Sequence, residues 1–208
     1  MEMKKTKTLS MLAVIILLGA SVISCKQKGM ENPEDSQAEA TTDTNPMMEQ
    51  DHDESLAAIE AYLTSIGSQY APGKVCIPSY TVVAVNDSDT DCIRVWGDWW
   101  VFNYNIAGDT LKCVSGGNHP GLMHLKQNNT HEWYVASFDQ VEDGSRNLPS
   151  AKRIFGEYYD TFHKTNSDQH HRDSVRLTQV AYYVQQHNLP VTMLQDYGWP
   201  AVELPLNR

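Results

Sequence analysis

Basic residues are scarce in this 208-residue chain: 16 Lys and Arg stand against 26 Asp and Glu. Neutralising nucleic-acid phosphates needs clustered Lys and Arg, so this balance excludes nucleic acid as a partner. The apolar run over residues 9–23 holds 15 residues, short of the ~20 that a stable membrane-spanning helix requires. Cysteine is sparse at four residues, and no segment repeats another. What is present is ordinary globular material: 41% hydrophobic residues, with five Trp, ten Tyr and four Phe. That composition excludes a disordered chain or a coiled coil as the whole answer.

The first 24 residues read as a secretory leader. Lys4, Lys5 and Lys7 precede the apolar run, which closes on Val22, Ile23, Ser24 and Cys25. A basic start, a short apolar stretch and a small residue before the cleavage point make such a signal. Cys after two aliphatics and a small residue resembles a bacterial lipobox. The resemblance implies that the Cys25 thiol carries a diacylglyceryl group and becomes the first residue of the mature chain. Two or three acyl chains anchor durably where one does not, so the expected partner is a membrane. Lys26 stands where an Asp would signal retention in the inner membrane, which makes the outer membrane the expected site.

Residues 25–54 read as an acidic tether. From Lys26 to Asp51 there is no aromatic residue and no Val, Ile or Leu, so little apolar burial offsets the entropy of ordering it. As a coil it would reach on the order of 30 Å. Two Lys against nine acids give residues 26–54 a charge of −7, and 11 basic against 16 acidic residues give residues 55–208 only −5. Most of the acidity belongs to the tether.

Residues 55–208 read as one α+β domain. Leu56, Ile59, Leu63 and Ile66 share one helical face, with Gly67 to end the helix. Residues 80–85 are β-branched, and the run from Asn86 to Asp91 has turn chemistry. Residues 92–105 form the most β-prone stretch, apolar at both parities, which predicts a central strand covered on both faces. Gly97 is a candidate bulge. Residues 107–109 make a hairpin turn, the strand over residues 110–115 breaks at Gly116–Asn118, and residues 122–126 and 133–138 are further strands. One helix over residues 150–164 and another to Asn188, capped by Ser167 or Asp168, follow. Residues 191–205 should pack as an extended tail, since exposing Met193, Leu194, Tyr197 and Trp199 together would leave a large apolar patch. A helix, four or five antiparallel strands, two C-terminal helices and a tail suggest a cystatin-like or NTF2-like arrangement.

Chemistry-bearing residues are few and incomplete as motifs. Asp87, Asp89 and Asp91 have calcium-loop spacing, but Cys92 and Asp98 stand where that loop needs Gly and Glu, so they read as a turn. Six His between His119 and His171 show no spacing that gathers them on one face, so no metal and no cofactor is expected. Cys76, Cys92 and Cys113 are an odd set that leaves a thiol over even if one pair forms, and no nucleophile signature surrounds them. The speculative ligand residues are Trp96, Trp99, Trp100 and Tyr104 in the aromatic strand, with His119 in the Gly-rich stretch.

The stretches VWGDWWVFNY from Val95, GDTL from Gly108, SGGNHPG from Ser115 and VEDG from Val141 resemble a family of uncharacterised Bacteroidetes-type cell-envelope lipoproteins. The likeness covers roughly residues 55–205 and the lipobox. It implies localisation and fold and carries over no catalytic residue. The functional expectation is a lipid-anchored binding or interaction module. The alternative is a hydrolase-like enzyme using His119 or His124 with a nearby Cys, such as Cys113, or an acid, such as Asp98.

Overall fold

The structure, a computed structural model, describes residues 46–206. The leader, Cys25 and most of the tether lie outside the described residues. Helix α1 spans Pro46–Ile66, so it begins nine residues before Ser55, inside the stretch read as tether. That stretch lacks aromatic, Val, Ile and Leu residues, yet Met, Glu and Gln favour helix, Pro suits a first helical position, and acids suit a helix N-terminus. From Ser55 onward burial supplies the drive: Ile59 and Leu63 are fully buried and Ile66 nearly so.

Five strands follow: β1 Val75–Asn86, β2 Ile93–Ala107, β3 Thr110–Asn118, β4 Gly121–Gln127 and β5 Trp133–Gln140. All pair antiparallel. Strand β2 is the axis of the sheet. β1 runs along one edge of it, from Val75 opposite Tyr104 to Asn86 opposite Arg94. On its other edge β3 pairs with residues 100–107 and β4 with residues 93–97. β3 and β4 therefore follow one line along β2. His119 and Pro120 interrupt that line, and His119 N–H still donates to the Trp99 carbonyl at 2.7 Å. The expected break at Gly116–Asn118 is thus strand, and the kink lies one step later. The irregularity expected at Gly97 lies across from it in β1, between Val82 and Ala84.

Both faces of β2 are covered, as the double-parity apolar pattern predicts. Val95, Trp99 and Val101 pack with Ile59, Leu63 and Ile66 of α1. On the opposite face Trp96 packs with Phe155 and Phe162, and Tyr104 with Val180, Ala181 and Val184. These partners come from two C-terminal helical blocks. The first, expected as one helix, is broken at Gly156, whose φ of 52° suits glycine, into α2 Asn147–Phe155 and α3 Tyr159–Ser167. Phe155 and Phe162 stack across the break at 4.0 Å. The second is α4 Gln169–Gln186, capped by Asp168, which accepts from His171 N–H at 3.0 Å.

The sheet has seven strands rather than four or five. The tail supplies β6 Met193–Gln195, parallel to β3, and β7 Val202–Glu203, antiparallel to β6. Strands of two or three residues leave no readable alternation. Leu194 is buried as expected, and Leu204 is buried too, but Tyr197 and Trp199 are not: they remain 95% and 72% exposed. No helix of the described residues is long and apolar enough to cross a membrane.

Candidate functional site

Helix α4 lies against β1, clamped by a reciprocal pair. Tyr80 N–H donates to Gln179 Oε1 at 2.8 Å, and Gln179 Nε2 donates to the Tyr80 carbonyl at 3.0 Å. This satisfies an outward-facing backbone pair of an edge strand. Between α4 and the β1–β2 surface opens a cleft of about 200 Å³, with Ser79, Thr81, Asp98, Trp100, Arg172 and Arg176 among its lining residues.

Asp98 is buried and both its oxygens are used. Oδ1 accepts from Asn118 Nδ2 at 2.5 Å and Oδ2 from Asn166 Nδ2 at 3.1 Å. It pins the end of β3 to the end of α3 and is occupied as an acceptor. Arg176 is buried as well. Its Nε donates to Tyr104 Oη at 2.9 Å, its two terminal nitrogens grip Asp196 at 2.8 and 2.7 Å, and its guanidinium lies 3.7 Å from the Phe102 ring centroid. Burial alone would pull the Arg176 pKa down; Tyr104 and Asp196 outweigh it, and the group is a fixed cation. Burial also pushes the Tyr104 hydroxyl up, so it stays neutral.

Trp100 differs from its neighbours in the aromatic strand. Its ring stacks on Phe102 at 5.8 Å and carries the Arg172 guanidinium over it at 5.8 Å. Arg172 also donates to the Asn166 carbonyl. The Trp100 indole N–H is buried and has no hydrogen-bond partner among the described residues, an unusual cost for a donor in a protein interior.

The other sequence-stated ligand residues do not line this cleft. Trp96 and Trp99 are core residues whose indole N–H groups donate to the carbonyls of Ile154 (2.8 Å) and Gly121 (3.2 Å). Tyr104 is fully buried beneath Arg176. His119 is buried, its Nε2 at 2.8 Å from Tyr70 Oη, and burial holds its pKa below the ordinary value. A Cβ on Gly117 would collide with that Tyr70 hydroxyl, so the Gly-rich stretch serves close packing.

His119 and His124 have separate partners, and Cys113 belongs to neither. Cys113 Sγ donates to the Ser115 carbonyl at 3.8 Å. His124 instead has Cys92 Sγ at 4.0 Å from Nδ1 and Asp139 Oδ2 at 3.1 Å from Nε2. Cys76, Cys92 and Cys113 are free thiols. The Asp87–Asp91 segment is a polar turn, with Asp91 N–H donating to Asp89 Oδ1 at 3.1 Å, and no group of three or more His, Cys, Asp or Glu suited to a metal occurs among the described residues.

Arg172, Arg176 and Asp196 were not singled out from the sequence. Arg176 did leave a signal: it stands four residues before Val180 on the apolar stripe of α4, where a solvated charge has no place. In comparisons with known proteins, no family model, no curated protein and no solved structure matches this chain.

Proposed function

We propose that this chain is a lipid-anchored protein of the cell envelope, held by acyl groups on Cys25, whose α+β domain is a binding module for a small polar ligand. The observation that carries the ligand site is Trp100, which lines the cleft under α4 with Arg172 over its ring and whose buried N–H has no partner among the described residues. A ligand acceptor at that donor would relieve its desolvation cost, and the guanidinium above the ring favours an anionic or strongly polar group. The order of basic residues, apolar run, Ser24 and Cys25 supports the anchor.

The test uses the full-length chain purified in detergent. Tryptophan fluorescence and thermal shift are followed against panels of sugars, amino acids and small organic acids. A true ligand loses about tenfold in affinity in Trp100→Phe, which keeps an aromatic ring, though a smaller one, and removes the donor, and loses affinity in Arg172→Ala. Ligands indifferent to both changes overturn the cleft assignment. For the anchor, radiolabelled palmitate fed to cells labels the wild type; label retained in Cys25→Ala overturns it.

A further inference from the structure

We propose that Cys92, His124 and Asp139 form a nucleophilic thiol site that accepts acyl groups from activated esters and thioesters. The site shares no residue with the cleft and stands or falls separately. Its three members come from neighbouring parts of the sheet. Cys92 closes the turn into β2, its N–H donating to the Asp89 carbonyl at 3.1 Å; His124 lies in β4, and Asp139 in β5. β2, β4 and β5 are adjacent strands.

The imidazole joins the other two groups by its two nitrogens. Asp139 Oδ2 lies 3.1 Å from Nε2, and Cys92 Sγ lies 4.0 Å from Nδ1. A carboxylate accepting from Nε2–H fixes the tautomer whose Nδ1 lone pair faces the thiol. That is a nucleophile with its base, and a base with its orienting acid. Arg94 stands opposite His124 in the β2–β4 register, and Ser137 opposite it in the β4–β5 register. Facing positions share a face of the sheet, so a cation is supplied on the side where negative charge would develop.

The two other thiols make the contrast. Cys76 donates to the Thr64 carbonyl and Cys113 to the Ser115 carbonyl, both at 3.8 Å, and burial raises the pKa of each. They are held as thiols, whereas Cys92 faces a base. The His124 and Asp139 side chains are 25% and 61% exposed, so reagents in solution reach the group. A shallow depression of about 400 Å³, lined by Phe138, Asp139, Gln140, Glu142, Arg153 and Ile154, opens beside Asp139.

In the reaction, His124 Nδ1 takes the Cys92 proton and Sγ attacks the acyl carbon. The bond from that carbon to the alcohol or thiol breaks, and the departing group takes the proton back from Nδ1. A thioester remains on Cys92. Water, giving a proton to Nδ1, attacks it; the carboxylic acid leaves, and the proton returns to Sγ.

The full-length chain in detergent is treated with p-nitrophenyl acetate. The expected result is a burst of one p-nitrophenolate per chain, with the acetyl group on Cys92 by peptide mass spectrometry and Cys76 and Cys113 unmodified. Cys92→Ser abolishes the burst, and His124→Gln slows it at least about tenfold. Asp139→Asn slows it and moves its pH profile, because an amide no longer enforces the tautomer. Circular dichroism checks the fold, and iodoacetamide alkylation of Cys92 against pH gives a second readout. Acetylation spread over other residues, or a Cys92 alkylation profile identical in wild type and His124→Gln, overturns the proposal.

Discussion

Arg176 in α4 grips Asp196 in the tail through two parallel hydrogen bonds of 2.8 and 2.7 Å. The pair joins helix α4 to the segment that continues β6, and the same guanidinium lies on Phe102 and donates to Tyr104. The Arg176 side chain is 11% exposed but that of Asp196 is 44% exposed, so the two ends differ in solvation. Arg176→Ala removes packing and a hydrogen bond to a buried hydroxyl, and should cost about 3 kcal/mol in urea denaturation. Asp196→Asn, at the wetter end, should cost on the order of 1 kcal/mol. A double-mutant cycle should show non-additive losses; additive losses would mean the pair is not coupled.

Gly117 and Tyr70 share one space. The Tyr70 hydroxyl occupies the position of a Gly117 side chain on its way to His119. Gly117→Ala should therefore cost about 1–3 kcal/mol through overpacking. Tyr70→Phe alone should cost about 1 kcal/mol, the hydrogen bond to His119. Combined, the two should cost less than the sum, since removing the hydroxyl relieves the closest clash and leaves the ring carbon Cζ, at 2.6 Å from the new methyl, to be accommodated by a shift of the ring. Strict additivity in thermal melts would contradict this packing.

The Asp98 carboxylate takes two side-chain amide donors among the described residues. Asp98→Ala strands the half-buried Asn118 and Asn166 amides and should cost about 1–3 kcal/mol. Because Asn166 also offers its carbonyl to Arg172, the α3–α4 corner should loosen first. Hydrogen exchange should rise at residues 164–172 more than in β2. A uniform rise across the domain would show that Asp98 does not pin this corner.

Much of the architecture is legible in the residues, and the failures have identifiable causes. The helical face of Ile59, Leu63 and Ile66, the apolar double parity of β2 and the Asp168 cap are local patterns with local physics. The β3–β4 line is not local: Gly116 and Gly117 look like a break, but they are glycines because Val101, Phe102 and Tyr70 crowd them. The tail strands β6 and β7 exist only through pairing with β3 and each other. The grouping of Cys92 with His124 and Asp139 depends on the register of β2, β4 and β5, which no spacing encodes. Of the aromatic run, Trp100 and Phe102 line the cleft, and what distinguishes Trp100 from Trp96 and Trp99 is a missing carbonyl partner, visible only in three dimensions.

The buried His119 makes a pH prediction with a definite sign. Burial holds its pKa below the ordinary 6.5, against the opposing pulls of Gln140 and Asp143. In the unfolded chain the ring takes up a proton near 6.5, while in the folded chain it resists until lower pH. Between those two values the unfolded state binds more protons, so stability falls as pH falls. Above 6.5 both states are neutral and the group contributes no slope. Below the folded pKa both are charged, and the loss levels off. One such group contributes at most about 1.4 kcal/mol per pH unit within the window. Urea denaturation from pH 8 to pH 5 should therefore show a loss beginning near 6.5, and His119→Gln should flatten that part of the curve. The other histidines are common to both proteins, so the difference between the two curves isolates His119. Parallel curves would show that the ring is protonated as readily in the folded protein as in the unfolded chain.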